Sequence, residues 1–274
     1  MKNKFTTTLL VLGAGLTSAH AEQGLYSTGE IPDEPLPLEW VAGLNFSYDD
    51  NITPTVATGT PGSNDESFSV NPYVGVSFVR QTPQDTLDVF ARVGAIYYLD
   101  EPDALGAEEL FPQLRLGVNW FRSVNERLRF TSRNFVSYEI EPDFERGFST
   151  TRQVDSYFFW QTDNAVGYRW TERLGTYTGI KLTGLDYDSN VRNQDRFTWQ
   201  LYNQFRYQLT EQTVLTSSYR YSQTTADGLA SDSSSHHILG GVEHRFSPNT
   251  VLIARVGAQI RQSDAVGGND TTSP

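Results

Sequence analysis

Several residue types are absent or scarce in this chain, and each absence excludes a class of protein. The 274 residues contain no Cys, which excludes a disulfide framework, an iron–sulfur cluster, Cys-ligated zinc and a lipid anchor on an N-terminal Cys. Acidic residues outnumber basic ones by 33 to 21, and the formal net charge of −12 argues against a nucleic-acid binder. The mean hydropathy is −0.45, with no run of about 18 apolar residues, which excludes a helical membrane protein.

The first residues have the pattern of a secretion signal. Lys2 and Lys4 precede an apolar segment, Phe5–Leu16, and the small residues Ala19 and Ala21 flank a site for signal peptidase. The apolar segment is too short to cross a bilayer as a helix. We therefore predict a signal peptide over residues 1–21 and export from the cytoplasm.

Residues 22–38 form the next segment, which contains Pro32, Pro35 and Pro37. Proline has no backbone N–H to donate to a sheet, so we expect an extended periplasmic lead-in rather than a domain. The remaining residues, 39–274, are predicted to form one β-barrel domain.

From Trp40 onwards, apolar and polar residues alternate with the period of two that is typical of β-strands. The clearest example runs from Leu87 to Leu99, where every second residue is apolar. Asn203 interrupts the apolar row of its segment. The pattern predicts eleven strands, over residues 39–49, 67–80, 86–99, 111–121, 127–141, 155–170, 173–187, 196–209, 213–223, 236–247 and 250–262.

Short and long connections alternate between these segments. The short ones are residues 81–85, 123–126, 171–172, 210–212 and 248–249, and the long ones are 50–66, 100–110, 142–154, 188–195 and 224–235. Strands of this length, joined in this way, are typical of an outer-membrane barrel with tight periplasmic turns and large external loops. The predicted fold is therefore all-β, an antiparallel up-and-down transmembrane β-barrel, with a soluble antiparallel barrel as the alternative.

The C-terminal residues do not have the pattern that we expect of the strand that closes such a barrel. Eleven strands is an odd number, whereas bacterial single-chain barrels have an even one. The last residues, Thr271–Pro274, contain no aromatic residue of the kind that the outer-membrane assembly machinery recognises. We therefore expect the barrel to be C-terminally incomplete, with residues 264–274 in an unfinished external loop.

The segment Gly43–Asn45, followed by Ser47-Tyr48-Asp49-Asp50-Asn51-Ile52, resembles the opening of the beta-barrel porin-2 family. The resemblance implies an exported barrel of the Gram-negative outer membrane with a pore or structural role, in some cases associated with surface polysaccharide. It implies no catalytic residues.

Charged residues on the polar side of the strands are candidates for the wall of a pore. The alternation places Arg92, Arg115, Arg133 and Lys181 near mid-height with Asp163 between them. It turns six more cations inward, Arg129, Arg169, Arg206, Arg220, Arg255 and Arg261, with Asp88, Glu139 and Glu243 as partners. Two interpretations remain open: a basic wall that favours anionic solutes, or an internal lattice of ion pairs that fills a narrow barrel.

Enzymatic and metal-binding functions have little support. His236 and His237 lie beside the Ser-rich residues 231–235, but neighbours in a loop rarely reach catalytic geometry. Adjacent strand residues point to opposite faces, which argues against a joint metal site. No enzyme, metal or cofactor is predicted. The acidic external loops leave two interpretations open, divalent-ion bridges to phosphorylated surface lipid and solvated loop tips, and the second is favoured.

The sequence thus predicts an outer-membrane barrel that acts as a passive channel for small hydrophilic solutes. The alternative is a barrel without an open pore that serves surface structure, polysaccharide export or adhesion. The expected surroundings are outer-membrane lipid, lipopolysaccharide and the assembly machinery, and no nucleic acid.

Overall fold

The computed structural model describes residues 38–49, 67–99, 109–140, 156–188, 195–227, 232–247, 250–263 and 271–273. The predicted signal peptide, the lead-in up to residue 37 and four of the predicted long loops lie outside these residues. Within them, no helix combines the length and the apolar character needed to cross a membrane.

The described residues form one antiparallel sheet. Its strands are β1 (Leu38–Asp49), β2 (Ser67–Gln81), β3 (Asp85–Tyr98), β4 (Leu110–Ser123), β5 (Leu128–Ile140), β6 (Ser156–Arg169), β7 (Leu174–Tyr187), β8 (Arg196–Gln208), β9 (Thr213–Ala226), β10 (Ser233–Ser247), β11 (Thr250–Ser263) and β12 (Thr271–Ser273). Neighbours in sequence are neighbours in the sheet, from β1 to β12. The predicted all-β, up-and-down arrangement of eleven long strands is confirmed.

The twelfth strand was not predicted. Thr271–Ser273 was expected to belong to an external loop, but it pairs with β11 in the register Gln259↔Ser273 and Arg261↔Thr271. Thr is a favourable strand residue, and the edge of β11 offers unpaired backbone groups to any segment that can reach it.

Two strand ends differ from the prediction by three residues. β9 continues to Ala226 and β10 begins at Ser233, so half of the predicted loop over residues 224–235 is strand. Thr224 pairs with Ser233, and the Ser235 side chain is buried. The Ser-rich composition suggested a linker, but small hydroxyl side chains also suit the polar face of a strand, where no apolar side chain has to be buried.

Four short turns join neighbouring strands, and in each turn a side chain accepts a hydrogen bond from the backbone. The Asn125 Oδ1 atom accepts hydrogen bonds from the backbone N–H groups of Arg127 and Leu128, each at 2.8 Å. In the other three turns, a backbone N–H group donates to the side-chain hydroxyl of Thr82, Thr171 or Thr210. Such Asx and Ser/Thr turns fix a tight reversal locally, and this explains why the short connections could be recognised in the sequence.

Two compact units divide the chain. The first comprises Met1–Val79, Phe90–Leu116 and Ser137–Tyr157, and the second comprises Arg80–Val89, Gly117–Val136 and Phe158–Pro274. The side-chain clusters described below each lie within one unit.

Candidate functional site

Each long strand has an apolar face and a polar face, set by the alternation of its side chains. On β2, Phe68 and Val74 are more than half exposed, at 52% and 53%, while Ser67 and Ser69 between and beside them are buried. We call the side that carries the exposed hydrophobic residues the apolar face and the other side the polar face. The candidate residues predicted from the sequence fall on the polar face.

In the first unit, Arg115 is neutralised by Glu139. The guanidinium donates from Nε and an Nη atom to the two carboxylate oxygens at 2.9 and 2.5 Å, and the Glu139 side chain is only 4% exposed. Bidentate pairs of this kind are strong and geometrically fixed. Arg115 therefore holds two adjacent strands together and is not a free cation.

Arg92 lies beside this pair but has a different partner. Its guanidinium carbon is 3.6 Å from the centroid of the Tyr73 ring, within cation–π distance. Gly43 makes room for the ring, because a Cβ atom there would collide with the Tyr73 ring. A tyrosine on the polar face thus positions a cation, which the sequence analysis did not foresee.

In the second unit, one carboxylate accepts from two arginines. The Glu243 carboxylate on β10 forms ion pairs with Arg206 on β8 and Arg255 on β11, with N···O distances of 2.5 and 3.1 Å. The register places Thr216 and Gly241 in the same cross-strand row as Arg206 and Arg255, so no bulky side chain stands in the way. This cluster links three charged side chains across the polar face of β8, β10 and β11.

Asp163 is held by a tyrosine rather than by a cation. The Tyr202 hydroxyl on β8 donates to the Asp163 carboxylate on β6 at 2.5 Å, reaching across the strand between them. Gly179 on that strand allows this, because a Cβ atom there would overlap the Tyr202 ring. Tyr177 packs next to Tyr202 with ring centroids 6.1 Å apart.

Other predicted cations make no ion pair with any residue that the structure describes. They are Arg92, Arg129, Arg133, Lys181, Arg220 and Arg261. Arg169 approaches Glu126 at 4.0 Å, but both side chains are half or more exposed, and such surface pairs contribute little. Asp88 accepts from the Asn119 amide at 3.2 Å and has no arginine partner among these strands. The polar face therefore combines paired and unpaired cations.

Two cavities open on the second unit. One of about 410 Å³ lies near the short turns and includes Arg129, Arg169 and Arg206. The other, of about 430 Å³, includes Asp163, Lys181, Tyr202, Arg220 and Arg255. Sequence reasoning identified the charged residues of the second cavity, but in the first it named only these three arginines. It missed the tyrosines of both cavities, whose only signal was an aromatic residue at a polar-face position. It also missed the charged residues at the turns beside the first cavity, Glu126, Arg127, Glu172 and Arg173.

The two adjacent histidines lie on opposite faces, as strand geometry requires. His236 shares a hydrogen bond of 2.8 Å with the Tyr219 hydroxyl, whereas His237 lines the second cavity. No group of three or more potential metal ligands occurs among the described residues.

Polar side chains also occur on the apolar face, in the middle of β5 to β8. Ser132, Asn134, Thr162 and Asn164 are joined by hydrogen bonds of 2.7–3.0 Å. On the next two strands, the Asn203 amide donates to the Thr178 hydroxyl. The interruption that Asn203 makes in its apolar row is thus compensated by a partner on the neighbouring strand.

Comparisons with known proteins add little to this geometry. No family model matches the chain, and no curated protein matches it. Among solved structures, the chain is similar to the CymD monoaromatic hydrocarbon channel, with a TM-score of 0.35 and 8% sequence identity over 84% of this chain and 76% of that one.

Proposed function

We propose that this protein is a β-barrel channel of the bacterial outer membrane, which lets small hydrophilic solutes pass by diffusion. The observation that carries the proposal is the separation of the sheet into an exposed apolar face and a charged polar face. In β1, for example, Trp40 and Phe46 are 69% and 61% exposed. A soluble protein rarely exposes a continuous apolar surface of this kind, whereas a barrel in lipid requires one.

Strand length supports the same conclusion. β1 to β11 each contain 12–15 residues, whereas strands in soluble proteins average about five or six. A tilted strand needs about 9–11 residues to cross the hydrocarbon layer. The exposed rings of Trp40, Trp170 and Phe246 lie near strand ends, where aromatic side chains favour the interface between lipid and water.

Unpaired cations on the polar face support a water-filled interior. Burying a charge away from water is costly unless it is paired, so cations such as Lys181 and Arg220 need solvent near them. Across the fourteen candidate residues, ten are cationic and four acidic, although the whole chain carries a net charge of −12. We therefore expect the channel to favour anions over cations.

The resemblance of residues 43–52 to the beta-barrel porin-2 family points the same way. On this proposal the apolar face contacts outer-membrane lipid and lipopolysaccharide, and the outer-membrane assembly machinery inserts the barrel.

A barrel without an open pore, serving surface structure or polysaccharide export, is the second candidate. Specific observations favour it: on the polar face of the first unit, Tyr98 and Phe111 are only 7% and 5% exposed and pack edge to face at 5.8 Å. Large apolar side chains in that position reduce the room for solutes.

Planar-bilayer recordings of the purified protein separate the two candidates. A channel gives stepwise conductance and, in a KCl gradient, a reversal potential that indicates chloride preference. The double variant Arg92→Gln, Arg133→Gln should reduce this preference, because both cations lack a carboxylate partner among the described residues. Arg115 is unsuitable for this test, because its removal would leave Glu139 buried and unpaired. An absence of conductance from correctly folded protein would favour the structural barrel.

A further inference from the structure

The cavity of about 430 Å³ in the second unit has the features of a binding site. Residues of six strands line it, from Asp163 on β6 to Arg255 on β11. Its volume falls within the range of about 300–1,000 Å³ that is common for small-molecule sites. The lining is mixed in character and includes charged, amide and aromatic side chains.

Strand register explains why the space is open. Tyr202, Arg220 and His237 occupy one cross-strand row, which begins at Gly179 on β7. In a neighbouring row, Ser218 lies between Gln204 and Leu239. The small residues leave room between the long side chains, so the cavity is specified by the sequence of adjacent strands.

Lys181 and Arg220 provide positive charge that no described residue neutralises in an ion pair. Neither makes an ion pair among the described residues, unlike Arg255 at the cavity edge, which shares Glu243 with Arg206. Lys181 lies on β7 and Arg220 on β9, so the two charges approach the cavity from different strands. Two separated cations match two separated anionic groups better than they match one.

Asp163 is the one acidic residue of the lining, and Tyr202 restrains it. The hydroxyl of Tyr202 donates to the carboxylate at 2.5 Å, so one of its oxygens is already occupied by a donor from the protein. The neutral lining adds the amides of Gln200 and Gln204, which can donate to further oxygen atoms.

We propose that this cavity binds a small organic dicarboxylate, with one carboxylate near Lys181 and the other near Arg220. The inference rests on the proposed function, because the channel is what brings such a solute to the cavity. It goes further by giving the channel a specific site and a substrate class.

Calorimetric titration of the full-length protein in detergent, at low salt, tests the site with succinate as the probe and the neutral succinamide as its matched control. Wild type should show saturable binding of succinate and none of succinamide. Lys181→Gln and Arg220→Gln should each weaken binding about tenfold or more, the effect expected for a charge-assisted contact. The charge-matched single variants Arg80→Gln and Arg122→Gln each remove one cation outside the cavity and should leave the Kd unchanged.

Tyr202→Phe provides a second test that does not remove a cation. It releases Asp163 from its hydrogen bond and should weaken succinate binding, and the added Asp163→Asn change should restore it. A structural defect at Tyr202 would not be rescued in this way.

Absence of saturable heat in the wild type, equal binding of succinamide, or equal loss in the control variant would each overturn the site. Bilayer recordings keep this result separate from the channel itself. Conductance without succinate binding removes the site alone, whereas binding without conductance retains the site and removes the channel.

Discussion

The apolar face of β1 differs from that of the β5–β6 pair. On β1 the large side chains are hydrophobic along the whole strand, from Leu38 to Tyr48. On β5 and β6 the flanking residues Phe158 and Val166 are hydrophobic and exposed, but the central positions are polar: Ser132, Asn134, Thr162 and Asn164.

The four polar residues form a closed ring of hydrogen bonds. Ser132 donates to Asn164, Asn164 to Thr162, Thr162 to Asn134 and Asn134 to Ser132, at 2.7–3.0 Å. Each side chain donates one hydrogen bond and accepts one. On the proposed function this face lies in lipid, where an unsatisfied polar group costs several kcal/mol, and the ring avoids part of that cost. Hydrophobic side chains and polar side chains that bond one another are thus two ways in which such a face avoids unsatisfied polar groups.

The largest expected effect comes from placing a charge on the hydrophobic part of this face. Val74 lies in the middle of β2 and is 53% exposed. Val74→Arg should lower the free energy of unfolding in lipid vesicles by about 2–4 kcal/mol, since arginine has no partner at the midplane. Ser77→Arg, on the polar face of the same strand, is the control and should cost much less. Equal effects at both positions would contradict the assignment of faces.

Breaking the ring at one residue should have the next largest effect. Asn164→Leu removes one donor and one acceptor and leaves Ser132 and Thr162 each without one partner. The expected loss of unfolding free energy is about 1–3 kcal/mol, the usual cost of an unsatisfied buried group. Urea titration in vesicles, followed by tryptophan fluorescence, measures it.

The complete replacement is the control for that prediction. Changing all four ring residues together, with Ser132→Ala, Asn134→Leu, Thr162→Val and Asn164→Leu, leaves no polar side chain without a partner. Stability should return to within about 1 kcal/mol of the wild type. A quadruple variant that is less stable than Asn164→Leu alone would show that the ring has another role.

The smallest effect is expected at Asn203 on β8. Its amide donates to Thr178, but its side-chain oxygen is buried and has no hydrogen-bond partner among the described residues. Thr178→Val should therefore cost about 0.5–1.5 kcal/mol, whereas the double variant Thr178→Val, Asn203→Leu should cost less than the single one. The same vesicle titration compares them. A double variant that is less stable than Thr178→Val would show that Asn203 stabilises the sheet by other contacts.

Much of the fold could be predicted because its signals are local. The alternation over Leu87–Leu99 predicts a strand whatever its neighbours are, and β3 occupies Asp85–Tyr98. The turn at Asn125 is fixed by its own side chain. The end of β9 was harder to locate, because Thr and Ser fit a loop and the polar face of a strand equally well.

The candidate site was only partly predictable, because pairing depends on register. The sequence places both Arg115 and Arg220 on polar faces, but nothing near either residue in the chain distinguishes them. Arg115 meets Glu139 on the neighbouring strand, whereas Arg220 lies in a row with Tyr202 and His237. Tyr202 itself reaches Asp163 only because Gly179 lies between them.

The sequence alone determined the eleven long strands, the short turns between them and which side chains share a face, since these follow from local signals and a period of two along one chain. The tertiary structure decided which cations are neutralised, where the cavities open and how the polar side chains of the apolar face are satisfied. Those features depend on contacts between residues far apart in sequence, and only the pairing of strands brings such residues together.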